Sequence, residues 1–147
     1  MIEIVPLRLE LCEAVYEIAR KQIPEHWSLQ GIQDVLKYDN NIYYVARTVP
    51  AKQVIGFGGI MIIADEAELL NIAVQEDYAR RGIADLLMTQ LLEDAKAHNA
   101  YRMLLEVRES NEVAQHLYKK HRFNELGKRK DYYSNPKEDA LIMERML

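Results

Sequence analysis

Val74-Gln75-Glu76-Asp77-Tyr78-Ala79-Arg80-Arg81-Gly82-Ile83-Ala84-Asp85-Leu86-Leu87 is the stretch on which the fold turns. Behind it lies an apolar strand, Ala67 to Val74. Ahead of it lies a helix whose Ile83, Leu87, Leu91 and Ala95 fall in one row, with Leu86 beside them. A helix start leaves its first N–H groups without partners, and with the positive end of the helix dipole these make an anion site. Gly82 and Ala84 are small enough to let phosphate oxygens approach the main chain, and Arg80 and Arg81 add positive charge there. A P-loop needs a Lys-Ser/Thr pair after its glycines, and a dinucleotide fold needs a three-glycine fingerprint. Neither is present, which leaves a pyrophosphate held without a metal ion. Taken alone, Arg80-Arg81-Gly82 also reads as a solvated turn before a helix.

Working outward, the alternation from Ala67 to Val74 puts Glu68, Leu70, Ile72 and Val74 on one side unless a bulge intervenes. Asn99 stands where a left-handed cap is expected after the helix. Met103 to Val107 reads as a buried strand. Val113, Leu117 and Tyr118 lie on a further helix, and two last strands run near Phe123 to Gly127 and Ala140 to Arg145. Upstream, Ile2 to Val5 predicts a short strand ended by Pro6. Leu11, Val15, Ile18 and Ala19 predict a helix ended at Pro24, and Ser28 a cap for a second helix that stops near Asp39-Asn40-Asn41. Ile42 to Ala46 and Val54 to Ala64 pair as a hairpin, with Gly56, Gly58 and Gly59 permitting bulges or close backbone approach.

The 147 residues, 49% hydrophobic and with charges spread along the chain, predict one folded domain over 1–147. A net charge of −4 lacks the basic footprint of phosphate neutralisation, so no direct nucleic-acid partner is expected. One cysteine, Cys12, permits no disulfide within the chain and no thiolate metal cluster; it reads as a packed small hydrophobe. His26, His98, His116 and His121 show no metal-ligand spacing. The N-terminal residues carry no basic n-region, and the apolar runs are too short to span a bilayer. A cytoplasmic protein with no membrane association is expected.

The segment Ala79 to Ala84 resembles the acetyl-CoA motif Arg/Gln-x-x-Gly-x-Gly/Ala of the GNAT acetyltransferases. The resemblance extends in order through Asn71-Ile72-Ala73-Val74, Leu105-Glu106-Val107-Arg108-Glu109-Ser110-Asn111, Leu117-Tyr118, Tyr132-Tyr133 and Glu138-Asp139-Ala140. Together these motifs resemble the bacterial branch that acetylates the N-terminal alanine of a small-subunit ribosomal protein. It implies an α/β (α+β) GNAT fold, a mixed, mostly antiparallel sheet of about seven strands flanked by about four helices. The chain departs from the pattern at Ala79, where Gln or Arg is usual, at Asp85, which adds negative charge beside the phosphate site, and at Arg122, where a glycine precedes the Phe. If Arg122 takes the left-handed conformation of that glycine, it costs about 1–2 kcal/mol.

The roles that follow are implied by the resemblance. Main-chain groups of Ile72, Ala73 and Val74 bind the pantetheine arm and thioester of acetyl-CoA. The amides of Arg80, Arg81, Gly82, Ile83, Ala84 and Asp85 bind the pyrophosphate, and Asn111 the cofactor's amides. Glu106 is the general base and Tyr118 the general acid, with the loop from Gln22 to Trp27 and the pair Tyr132-Tyr133 forming the acceptor groove. The chemistry suits these residue types: an α-amine, with an ordinary pKa of about 7.7–8.0, needs only modest help from a base, and a tyrosine hydroxyl can meet a departing thiolate. Alternatives stand beside each role. Tyr118 also fits a packing position, Glu106 also fits a surface pair with Arg102 or Arg108, and Glu68 is a rival base. Tyr43 and Tyr44 fit sheet positions as well as a groove. The acceptor class likewise stays open between a protein N-terminus and a small amine such as a polyamine or drug. A catalytically silent acyl-CoA-binding module is the third alternative.

Overall fold

The computed structural model describes residues 1–23 and 27–147. The predicted helix end at Pro24, His26 and the middle of the Gln22 to Trp27 loop lie outside the described residues. Strands β1 (Ile2–Pro6), β2 (Asn41–Thr48), β3 (Val54–Ile63), β4 (Glu66–Val74), β5 (Arg102–Arg108), β6 (Asn124–Tyr133) and β7 (Glu138–Met146) form one sheet in the order β1-β2-β3-β4-β5-β7-β6. Helices α1 (Cys12–Gln22) and α2 (Leu29–Asp34) pack on one face, through Val15, Ile18 and Ile32 against Tyr43 and Phe57. Helix α3 (Ile83–Ala97) covers the other face with Leu87, Met88 and Leu91, and α4 (Glu112–Lys120) adds Tyr118 and Leu117 there. The fold is the mixed, mostly antiparallel one expected.

Capping residues set the helix ends. Ser28 accepts from the Gly31 N–H at 3.1 Å and starts α2. Asn99, at φ 62°, closes α3: the Ala100 N–H reaches the Ala95 carbonyl at 3.1 Å and the Asn99 N–H that of Lys96 at 3.0 Å. The same double bond closes α4, where Phe123 N–H donates to Tyr118 and Arg122 N–H to Lys119, both at 3.0 Å. Arg122 therefore does occupy the left-handed position, at φ 68°.

All neighbouring strands are antiparallel except β4 and β5, which run parallel and pair only at Glu66 with Arg102, Ala67 with Met103 and Glu68 with Leu104. Beyond Glu68 their ladder ends. The bulge for which the alternation along β4 left room interrupts it at the same place, because Gly59 of β3 opposes Asn71 while Ile60 opposes Leu69. Leu70 is the extra residue of a bulge. Ala67 and Leu69 before it, and Ile72 and Val74 after it, pack toward α3, whereas Leu70 and Ala73 pack toward α1. Glu68 is thus on the opposite side from Ile72 and Val74. Gly59 sits at the bulge for a steric reason as well, since a Cβ there would lie 2.1 Å from the Tyr43 ring.

The last two strands exceed their expected bounds. β6 runs to Tyr133 through Lys128-Arg129-Lys130, charged residues that mask a strand in sequence but suit the exposed edge of a sheet. Substituting Arg122→Gly is expected to relieve a left-handed cost of about 1–2 kcal/mol. Glycine's freedom in the unfolded chain returns about 0.5–1 of it. A net gain of up to about 1.5 kcal/mol in urea denaturation is predicted, and a loss of stability would show that Arg122 makes compensating contacts.

Candidate active site

Where β4 and β5 part, two clefts open and meet. The first, about 580 Å³, is bounded by Ile72, Ala73 and Val74 of β4, by the loop into α3 and by one side of α4. Of the loop residues singled out in sequence, Arg80, Gly82, Ile83, Ala84 and Asp85 line it, as does Ala79. Arg81 does not; its guanidinium stacks on the Tyr78 ring at 5.0 Å. Arg80 (φ 63°) and Gly82 (φ 78°) are both left-handed, and no side chain caps α3. Successive amides in such a conformation form a concave nest open to an anion, at the positive end of a helix of 15 residues.

The extra negative charge of Asp85 is answered from α4 and its end. His121 Nε2 stands 2.7 Å from Asp85 Oδ1, and Lys120 Nζ 3.0 Å from Oδ2. Burial pushes the Asp85 carboxyl up, but the hydrogen bonds from His121 and Lys120 outweigh it and hold the group below the usual carboxylate range. The departure from the family pattern at Asp85 thus ties the loop helix to α4.

The second cleft, about 440 Å³, is lined by Glu68, Asn71, Glu106, Arg108, Trp27, Tyr132 and Tyr133 among others. Gln22, Ile72, Asn111, Ala114 and Tyr118 line both clefts and mark their junction. Asn111 caps α4, its Oδ1 accepting from Ala114 N–H at 3.1 Å. Tyr118 is 8% exposed, with its ring edge-on to Phe123 at 5.9 Å between centroids. Burial pushes its hydroxyl up to about 12. Packing and a place at the junction therefore coexist in this residue.

Glu106 points into the second cleft rather than outward. Its sequence-level alternative partners are taken: Arg102 pairs with Glu66 and Glu144, and Arg108 with Glu138 at 3.2 Å. Glu106 Oε2 is buried without a hydrogen bond; Arg129 Nε, at 3.3 Å, is in ion-pair range but not aligned to donate. Glu68 faces the same cleft, and its carboxyl is raised first by burial, then by the Glu106 charge, against the pull of Arg129. Burial, and after it Glu106, likewise raises the Tyr132 hydroxyl. Tyr43 is a core residue, 6% exposed, accepting from Asn71 Nδ2 at 3.4 Å. Sequence reasoning passed over Arg108 and Arg129 as site residues, although Arg108 falls two residues after Glu106 and hence on its side of the strand.

A nest at a helix start thus lies beside parted parallel strands and opens onto a carboxylate-bearing cleft, and likeness to known proteins makes the chain an acetyl-CoA-dependent N-acetyltransferase. The chain belongs to the Acetyltransferase (GNAT) family, whose pattern matches residues 12–123. It is 34% identical over 141 residues to the [ribosomal protein bS18]-alanine N-acetyltransferase of Haemophilus influenzae, covering 92% of this chain and 94% of that one. It superposes on the crystal structure of the ribosomal-protein-S18-alanine N-acetyltransferase from Escherichia coli with a TM-score of 0.89. That pair is 29% identical, and the match covers 99% and 94% of the two chains. Arabidopsis thaliana NAA60 in complex with acetyl-CoA shares the fold at a TM-score of 0.89 and 20% identity, over 100% and 99% of the chains. Acetyl-CoA is the co-substrate. Among the described residues no group of three His, Cys, Asp or Glu stands ready to hold a metal ion, and no helix is long and apolar enough to cross a membrane.

Glu68 gives a pH test. Its folded pKa lies above the unfolded value, so the charged form is penalised in the fold; its favourable contribution exists below the unfolded pKa and is lost as pH rises through the folded one. Glu68→Gln is therefore expected to raise Tm near neutral pH, with the advantage vanishing toward about pH 4. A lower Tm at neutral pH would mean that Arg129 outweighs burial.

Proposed function

We propose that this enzyme transfers acetyl from acetyl-CoA to the N-terminal α-amine of a protein, an alanine on a small-subunit ribosomal protein, within a single catalytic domain spanning 1–147 in the cytoplasm. The observation that carries the reading is the meeting of the two clefts at Tyr118, with a Glu106 oxygen in the acceptor cleft that is ion-paired with Arg129 but accepts no hydrogen bond. A buried carboxylate oxygen without a donor is a site for the N–H groups of an amine or ammonium. The aromatic wall of Tyr132, Tyr133 and Trp27 suits a peptide chain beyond that amine. Relatives named as alanine N-acetyltransferases of ribosomal protein bS18 support the same acceptor.

In this reading the nest from Arg80 to Asp85 holds the pyrophosphate by its amides, while Ile72, Ala73 and Val74 offer main-chain groups of β4, freed from the β5 ladder, to the pantetheine arm. Asn111, its oxygen engaged in the cap, turns its amide nitrogen to a ligand carbonyl. Glu106 accepts the proton that the amine sheds as its lone pair forms the new C–N bond, directly or through one water. Tyr118 meets the sulfur as the C–S bond breaks. With a hydroxyl near 12, above the ordinary thiol value of about 8.5, it acts as a hydrogen-bond donor to the thiolate. The proton that finally joins sulfur comes from the one released by the amine.

Four measurements test these assignments. Gly82→Glu is expected to abolish acetyl-CoA binding in calorimetry; the added Cβ meets nothing within 4 Å, and the left-handed φ of 78° costs about 1–2 kcal/mol, so retained folding is checked by circular dichroism. Unchanged affinity would remove the loop from the site. Tyr118→Phe keeps the ring and is expected to lose about 10- to 1000-fold in kcat at any pH, with acetyl-CoA affinity little changed. Glu106→Gln should lose most at low pH and recover as pH approaches the amine's own value of about 7.7–8.0. Full activity in Glu106→Gln beside a dead Glu68→Gln would move the base to β4. For the acceptor, a peptide beginning with free alanine should exceed lysine and spermidine in kcat/KM; preference for spermidine would overturn the reading.

A further inference from the structure

Arg108 lies on the same side of β5 as Glu106, two residues on, and its side chain is 11% exposed. It reaches across to the turn between β6 and β7. Its guanidinium donates to the Ser134 and Pro136 carbonyls, both at 2.9 Å, and to Glu138 Oε1 at 3.2 Å, and it lies 4.5 Å from the centre of the Tyr133 ring. The other oxygen of Glu138 accepts from the Ser110 N–H at 2.5 Å. On the near side, the Arg108 carbonyl accepts from Asn111 N–H at 3.0 Å and from Gln115 Nε2 at 3.1 Å.

One residue thus fastens two segments, one carrying Asn111 at the junction and the other adjoining Tyr133 in the acceptor cleft. Its main chain orders the turn that carries Asn111. Its side chain holds the far wall, where Tyr133 meets Tyr132 edge-on at 5.0 Å. A guanidinium is suited to this because its planar fork serves two carbonyls and a carboxylate at once while its face stacks on a ring; an ammonium cannot do both. Among the described residues no other side chain donates to the Ser134 or Pro136 carbonyl. Tyr133, at the end of β6 where that turn begins, lines the acceptor cleft and not the cofactor cleft.

We propose that Arg108 is the residue that sets acceptor specificity, by locking Tyr133 and its turn into a wall that recognises the peptide chain beyond the reacting amine. It is a positioning residue that acts through Tyr133. The proposal rests on the peptide reading above and deepens it. Glu138 completes the lock: its carboxyl is held below the usual range chiefly by its hydrogen bond with Ser110, with Arg108 adding to it.

The test is a selectivity ratio, kcat/KM for an N-terminal alanine hexapeptide over that for alanine amide, measured for wild type, Arg108→Lys, Tyr133→Leu and the double variant. In wild type the ratio should favour the peptide; a ratio near one overturns the peptide reading and this proposal with it. In Arg108→Lys the ratio should fall by about tenfold or more, the scale of one lost charged hydrogen bond, through a higher peptide KM. Acetyl-CoA affinity should move by less than about twofold. Tyr133→Leu should cause the same fall, and the double variant no more than either alone, because both changes release one wall. A purely structural role lowers both acceptors alike and leaves the ratio unchanged, which would overturn the proposal, as would additive falls. Should Arg108→Lys fail to fold, Tyr133→Leu decides alone: a wild-type ratio in that variant overturns the assignment.

Discussion

Two parallel strands that hydrogen-bond from Glu66 to Glu68 and then separate impose the constraint from which the rest of the site follows. Backbone groups in a sheet interior are ordinarily consumed by ladders. The extra residue Leu70, opposite Gly59 and Ile60, bends β4 and increases its local twist just as β5 continues straight into its pairing with β7. The main chain of Ile72 to Val74 is thereby spared from pairing on its β5 side. The gap is wide enough for the two clefts to meet, and the carboxylates of Glu68 and Glu106 come to face one space. Seven strands in any fully paired arrangement would close this opening.

Keeping such a gap open has a stability cost, and the molecule offsets it locally. The like charges of Glu68 and Glu106 are tempered by Arg129 from the edge strand β6. The negative Asp85 at the mouth of the nest is covered by His121 and Lys120. Arg108 and Glu138 join the two turns at one end of the β5–β7 ladder. Each compensation comes from a different element, so the site is a place where α3, α4, β5, β6 and β7 are held to one geometry. Residual strain stays at the nest and in the second cleft: in Arg80, a left-handed residue that is not glycine, and in the buried Glu106 oxygen that accepts no hydrogen bond.

Much of this was legible in the residues themselves, and the exceptions have physical causes. The stretch from Val74 to Leu87 announced strand, loop and helix because a polar link separated two apolar patterns of different period, and Ser28 and Asn99 took the caps that their chemistry favours. Arg122 was readable as strained from the glycine it replaces. The bulge at Leu70 was not, since an extra residue leaves an apolar run apolar and only the register of β3 against β4 reveals it. β6 hid its length because an edge strand with both faces toward water shows no alternation. At the site, Glu106 and Tyr118 were marked by resemblance, and their proximity by neither spacing nor periodicity. Arg108 escaped notice because its partners, Ser134, Pro136 and Glu138, lie 26 to 30 positions away along the chain.

The central claim is that cofactor and peptide lie in two clefts that meet at Tyr118, close enough for direct transfer. The most direct measurement is the affinity, by calorimetry, of a conjugate in which CoA sulfur is joined through an acetyl spacer to the α-amine of an alanine peptide, compared with CoA and the peptide separately. If both clefts are filled at once, the conjugate should bind at least about 100-fold more tightly than CoA, because the second contact becomes intramolecular. A conjugate that binds no better than CoA would place the peptide elsewhere and contradict the account.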